Sequence, residues 1–283
     1  MNIKTALKRD FIKRTVALDS LLKKPVKKFT VENFHQLRVE IKKINALLKL
    51  LNFCAKDFKR KKHFKTIKSV FKQAGKVREL QLEEAALKNY AVYQGLKSYM
   101  KNLKRMRKKE KKVFFSMVNN KLTSELKKYN KAVLPFILKV NEKDTISFLN
   151  KKRSKIEMLF NEKDLKLEQV HELRKLIKEY YHDWKSLNLP EPGELLKLAD
   201  AFQDLLGKWH DSIIIKDHLN EAINDIKKMK PEETGQLKRI KKWLTADCDL
   251  MLKKINTAIH VKGALQNLFR GHYENFSVWN GSE

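Results

Sequence analysis

Apolar residues recur every three or four positions along almost the whole chain. From Phe34 they fall at Phe34, Leu37, Ile41, Ile44, Leu48 and Leu51, the spacing of one face of an α-helix. Similar stripes run through Leu7–Leu22, Phe64–Phe71, Leu80–Tyr93, Leu96–Val118, Ile146–Phe160, Val170–Leu187, Leu195–Leu206, Ile213–Ile226 and Leu237–Ile259. No stretch alternates apolar and polar residues better than it fits a helix, so the pattern predicts an all-α protein. Pro25 should end the first helix, Pro190, Pro192 and Gly193 should form a turn, and Pro231 sits where an early helix residue would. Pro135, followed by Asn141-Glu-Lys-Asp144, marks an interruption near the middle, dividing the chain into 1–140 and 141–283.

The two parts look like repeats. The first carries Phe34-His-Gln-Leu-Arg-Val-Glu-Ile-Lys-Lys-Ile44 and the second Val170-His-Glu-Leu-Arg-Lys-Leu-Ile-Lys-Glu-Tyr180. Downstream, Ala74-Gly-Lys-Val-Arg-Glu79 matches Leu206-Gly-Lys-Trp-His-Asp211. His35 to Gly75 is 40 residues and His171 to Gly207 is 36, a difference of about one helical turn. A duplicated helical bundle explains this arrangement better than chance.

Composition adds charge to this picture. Lys and Arg number 63 against 33 Asp and Glu, a formal net charge of +30 over 283 residues. Such self-repulsion opposes compaction and favours a polyanionic partner. Apolar residues are 42% of the chain, enough to bury real cores, so this is not a disordered basic tail. With 52 Lys against 11 Arg, the chemistry suits diffuse phosphate contact more than bidentate reading of base edges. Two isolated cysteines, Cys54 and Cys248, make no disulfide framework. The first residues lack a signal-like apolar run, and the longest apolar run, Ala132–Leu138, is far short of the roughly 20 residues a spanning helix needs. A soluble, intracellular protein with no membrane partner is expected.

The cations are patterned. His35, Arg38, Lys42 and Lys49 have offsets of 3, 7 and 14, which places them on one helical stripe, widened by Lys43. His171, Arg174, Lys178 and Lys185 repeat those offsets, with Lys175 beside them. Like charges at this spacing repel. Two matched stripes point to a bound phosphate chain that offsets the repulsion, where a single one would read as a solvated face. Neighbouring cations should depress the pKa of each His, and bound phosphate should raise it. Lys97, Lys101, Lys104 and Lys108, with Arg105, Lys111 and Lys112, form a third stripe opposite an apolar face. Lys238, Arg239, Lys241 and Lys242 are its counterpart in the second half. Lys76 and Lys208 follow the two motif glycines.

Two other chemistries fit poorly. Gly75-Lys76 and Gly207-Lys208 lack P-loop spacing and a preceding strand; the glycines should instead end one helix so that another can start, leaving N–H groups able to hold an anion. His182-Asp183, His210-Asp211, Asp217-His218 and Asp247-x-Asp249 suggest a metal-dependent phosphohydrolase. Yet His210 aligns with Arg78, and Arg does not ligate metals, so that position should work as a cation. No metal, cofactor or catalytic residue is expected.

At these residues the chain resembles the CHAD family, the conserved-histidine α-helical domain. The family's first motif, His-x-Leu-Arg-x-x-x-(Lys/Arg)-(Lys/Arg), is similar to His35–Lys43 and to His171–Lys178. Its second, Leu-Gly-x-x-Arg-Asp, is similar to Ala74–Glu79 and to Leu206–Asp211. The resemblance implies an all-α fold of two tandem four-helix bundles related by a pseudo-twofold. It implies a basic central surface that binds inorganic polyphosphate without catalysis, and a cytoplasmic location, at polyphosphate granules. Carried over, His35, Arg38, Lys42, Lys43 and Arg78 would line that surface from one half, and His171, Arg174, Lys178 and His210 from the other. Asn45 stands where the family often has a further base, and in the second half Glu179 and Tyr181 replace two bases, which implies weaker binding by the second half. The family is often fused to a triphosphate-tunnel domain with a Glu-x-Glu-x-Lys signature; that signature is absent. The competing expectation is a nucleic-acid binder, which the net charge supports equally, although no helix-turn-helix, RNP or zinc-finger pattern occurs.

Overall fold

A computed structural model describes residues 2–189, 193–225 and 230–260. Among these the regular structure is helical, with no strand: α1 Ile3–Leu22, α2 Val31–Cys54, α3 Arg60–Leu87, α4 Lys97–Met117, α5 Asn120–Ile137, α6 Glu142–Phe160, α7 Leu167–Ser186, α8 Gly193–Asn224 and α9 Pro231–His260. Short 3-10 turns occupy Val26–Lys28 and Ala91–Gly95. Starts are set by polar caps. The Asn2, Asn119 and Asn141 side chains accept from Lys4, Leu122 and Asp144 backbone N–H groups at 2.9, 3.0 and 2.8 Å, satisfying donors that a helix leaves unpaired. The N-terminus of α4 is capped from α9, where the Glu233 carboxylate accepts from Ser98 N at 2.6 Å and Tyr99 N at 3.2 Å.

Within each half, successive helices pack in the same order: α1 on α2, α2 on α3, α3 on α4, and then α6 on α7, α7 on α8, α8 on α9. The halves meet where α2 packs on α7 and α3 on α8. The apolar stripe of α2 is buried throughout, and it joins side chains of α1, α5, α6 and α7 in the main core. A second core joins Leu80, Leu87, Tyr99 and Leu103 to Leu219, Leu237, Ile240 and Leu244. Both cores run across the midpoint of the chain. Helix α1 is part of the main core, through Leu7, Phe11 and Leu18.

Gly75 and Gly207 correct the expectation, for they end no helix. Each lies inside a long one, so Phe64–Phe71 and the Leu80–Leu87 part of the next stripe share α3, with Ala91–Tyr93 in the 3-10 turn that follows, and Leu195–Leu206 joins Ile213 onward in α8. Two long buried faces outweigh the roughly 1 kcal/mol that a helical glycine costs. The interruption expected after Pro135 is present, between Ile137 and Glu142; Pro135 itself sits in the last turn of α5, where only one backbone hydrogen bond is lost. Helix α5 is absent from the stripes set out above, although Leu122, Leu126, Tyr129, Val133 and Ile137 form its buried face. Pro190, Pro192 and Ile226 lie outside the described residues.

Candidate anion-binding site

Two capped helices place the first motif. In α2 the Thr30 hydroxyl accepts from Asn33 N at 3.3 Å, and the Asn33 side chain accepts from Thr30 N at 3.0 Å, a reciprocal box. In α7 the Gln169 side chain accepts from Lys166 N at 2.8 Å. His35 and His171 each stand five residues past the cap, so the two stripes start in the same helical frame. The packing of α2 on α7 brings them together.

Arg38 crosses from α2 onto α3. It donates to the Phe71 carbonyl at 3.2 Å, and its guanidinium lies 4.6 Å from the Phe71 ring centre. Gly75 makes this possible, because a Cβ there would collide with the guanidinium. Its counterpart Gly207 borders open space. The second half is therefore built differently at this point. His171 and His210 meet through their Nδ1 atoms at 3.2 Å, and His171 packs against the buried Trp209 ring at 4.7 Å. One of these two nitrogens must donate and the other accept, so the pair is not doubly charged. The buried Arg174 Nε finds no acceptor among the described residues, an arrangement that costs free energy until an acceptor is supplied.

The electrostatics follow from this crowding. Burial, then repulsion from Arg38, Arg174 and Lys178, pulls the Lys42 ammonium down to about 8. Lys42 is nonetheless exposed to solvent. Burial also lowers Lys178, with Arg174 adding to it. Burial is the first cause at each histidine as well, ahead of neighbouring cations. It lowers His35, with Arg78 next, and His171, with Arg174 next. His210 is brought to about 3 by burial, then Arg174 and His171. That corrects the expectation for His210: the free protein holds it neutral, unlike Arg78. Asp211 is the carboxylate at the centre, acting on Arg38, Lys42, Arg174 and Lys178, while Glu79 acts on Arg38.

The cluster thus unites His35, Arg38, Lys42, Arg78, His171, Arg174, Lys178 and His210. It includes one residue that the sequence comparison passed over. His182 faces Lys43, Lys178, Arg14 and Lys42, and burial followed by these charges brings it to about 3. Its signal was the offset of four from Lys178, masked because its aligned partner is Ala46. Lys43 acts on His182 from the edge of the cluster and pairs with Glu40 at 3.1 Å. Other basic positions lie apart. Lys49, the tail of the first stripe, bonds Glu179 instead of joining the cluster. Lys175 lies near Lys49. Lys76 is exposed, 4.0 Å from Glu110. Lys208 is exposed on α8. On α4, Lys101 and Arg105 border a hollow with Ala222 and Asp225, and Lys104 and Lys108 face solvent. Lys242 borders another hollow with Lys238 and Asp249.

The departures from the motif are occupied. Asn45 accepts from Arg60 at 2.8 Å, Glu179 bridges Lys49 and Lys152, and the Tyr181 ring holds the Lys185 ammonium at 4.5 Å. Of the suggested metal ligands, Asp183 is buried against Lys152, and His218 bonds Glu83 at 3.0 Å. Among the described residues no three His, Cys, Asp or Glu side chains are grouped to hold a metal ion. No described helix is long and apolar enough to cross a membrane.

Fold and site together define an all-helical protein with a cationic cluster built on paired His-x-Leu-Arg helices. The CHAD domain model matches residues 16–220, and the chain belongs to the CHAD family. The crystal structure of the CHAD domain from the plant Ricinus communis matches with a TM-score of 0.75 at 14% identity, covering 93% of each chain. PptA from Streptomyces chartreusis matches with a TM-score of 0.64 at 11% identity, over 96% of this chain and 99% of the other. Both likenesses concern the fold. No curated protein matches the chain.

Proposed function

We propose that this protein binds inorganic polyphosphate, without catalysis, on the surface where α2 and α7 meet. The observation that carries this reading is the convergence of Arg38, Lys42, Arg174 and Lys178, with four histidines around them and Asp211 as the central carboxylate. Repulsion among these groups is relieved by a ligand that brings many negative charges in a row, and the orphaned Arg174 Nε gains an acceptor. Membership of the CHAD family supports the same reading. The matching helix order α1–α4 and α6–α9 supports a duplicated four-helix unit with this surface on its pseudo-twofold. On this reading the protein is cytoplasmic and gathers at polyphosphate granules.

Nucleic acid fits less well. Among the described residues, Phe71 lies under Arg38 and Trp209, against His171, is buried, so neither ring offers a platform for stacking bases. The deciding experiment is binding of labelled long-chain polyphosphate at about 0.15 M salt, where exposed charges are screened beyond roughly 8 Å. Excess duplex DNA and RNA serve as competitors. Binding should survive competition and collapse in Arg38→Glu/Arg174→Glu. If that variant misfolds, Lys42→Glu, at an exposed position, tests the same surface. Equal displacement by nucleic acid, with wild-type affinity retained in the variants, overturns the reading.

A further inference from the structure

A buried carboxylate needs partners, and those of Glu83 come from outside its helix. Glu83, on α3, is 1% exposed. One of its oxygens accepts from the Tyr99 hydroxyl of α4, and the other lies 3.0 Å from His218 Nδ1 of α8. Among the described residues His218 is its one ion-pair partner. Tyr99 is itself tied to the second half, because its backbone N–H donates to Glu233 of α9. Four helices thus meet at one hydrogen-bonded chain beside the second core, which includes Tyr99, Ile215 and Leu219. The repeat does not explain this chain: counted from Gly75 and Gly207, Glu83 aligns with Ile215 and His218 with Ala86. The same two helices, α3 and α8, also build the cluster. Glu79, about one turn before Glu83, acts on both Arg38 and His218. Asp211 stands about two turns before His218, on the same face of α8.

We propose that Tyr99, Glu83 and His218 form a proton-operated latch that fixes α3 against α8, and that His218 is thereby a positioning residue for the anion site, whose two sides stay in register while it carries a proton. This rests on the reading of the central cluster given above. A protonated imidazole neutralises the buried carboxylate. Once the proton leaves, Glu83 keeps its hydrogen bonds but has no cation, and the seam between the helices loosens. The hydrogen bond to Glu83 raises the His218 pKa above its ordinary 6.5, against burial and with help from the charges of Glu83, Glu79 and Glu221. Lys76, Glu110 and Asp225 line the same hollow as His218. The latch therefore contributes its full stability below pH 6.5 and loses it as pH rises through the raised value. That sign is opposite to the one for the histidines of the cluster.

The test uses His218→Gln, which keeps a hydrogen-bond donor but takes up no proton, His218→Lys, which stays charged throughout, and Glu83→Gln. The His218 ring resonances should titrate above pH 6.5 in wild type and at lower pH in Glu83→Gln. Affinity for long-chain polyphosphate is measured at pH 6 and pH 8.5, at about 0.15 M salt. At pH 6, His218→Gln should bind about five-fold more weakly than wild type. At pH 8.5 the two should bind equally, because wild type has then lost the same proton. Titration of the cluster itself cancels in that ratio. His218→Lys should bind more tightly than wild type at pH 8.5. A ratio that does not change with pH would mean a merely structural role, and a ring that titrates at or below pH 6.5 would mean no ion pair with Glu83; either overturns the latch. Should Glu83→Gln fail to fold, the two His218 variants decide. Wild-type protein that binds no polyphosphate at either pH overturns the central reading, and the positioning role with it, while the ring titration still reads the ion pair.

Discussion

At Gly75 the absence of a methyl group decides where a charge sits. Gly75→Ala should leave the fold intact, because the guanidinium it strikes is the far end of a flexible side chain, but Arg38 must leave its place against α3. Polyphosphate affinity should then fall several-fold. Gly207→Ala meets open space, so it should stabilise α8 by about 0.5–1 kcal/mol and leave binding alone. Denaturant melts and binding curves of both variants check this, and identical behaviour would contradict it. The histidines of the cluster give a second prediction. Their folded pKa values lie below 6.5, those of His182 and His210 at about 3. The unfolded chain therefore binds more protons between these limits. The stability present above pH 6.5 is lost as pH falls from there toward about 3. Bound phosphate raises the same groups, so polyphosphate should bind more tightly as pH falls below 6.5, taking up protons. Lys42, held near 8, should add uptake around pH 8.5. Calorimetry in buffers of differing ionisation heat measures the uptake; none at either pH would sink this account. The repeated His, Arg and Lys were legible in the sequence because they share a periodicity. His182 was not, because alignment to Ala46 hid it, and neither was the neutrality of His210, which depends on burial that only packing creates.

Among the elements, α2, α6 and α7 are tied by a charge network. Lys49 bonds Glu179, Lys152 bonds the buried Asp183, and Glu179 lies 3.7 Å from Lys152. Burial pushes the Asp183 carboxyl up, and Lys152 beside it works in the opposite direction. Lys152→Met removes that partner and should destabilise the protein by about 3–5 kcal/mol at neutral pH. The loss should shrink as pH falls below about 6, where the folded carboxyl becomes neutral whether or not Lys152 stands beside it. Urea melts at pH 7 and pH 4.5 check this, and a loss equal at both would show that Asp183 is not the group involved. At this scale the sequence was most misleading at its punctuation. Gly75 and Gly207 were expected to end helices, yet both lie inside them, whereas the break expected after Pro135 is present between α5 and α6. Local propensity argues for a break at glycine, while burial on both sides of the residue argues for continuation.

The whole molecule carries +30 formal charges, so a polyanion that binds only the folded state should stabilise it by mass action. At a hundred times its dissociation constant the gain is about 2.7 kcal/mol. Thermal melts should shift upward by several degrees with long-chain polyphosphate and much less with orthophosphate at equal total phosphate. Equal shifts would mean general screening. A last consequence comes from the two apolar cores that cross the midpoint. A chain cut near residue 140 would leave each piece with a wet apolar wall, since Leu37 and Ile41 pack in one core with Ile177, and Leu103 packs in the other with Leu219. The two halves are partners that should not fold apart. Expressed separately, the pieces should be molten or insoluble; expressed together, they should complement one another into a protein that melts in one step.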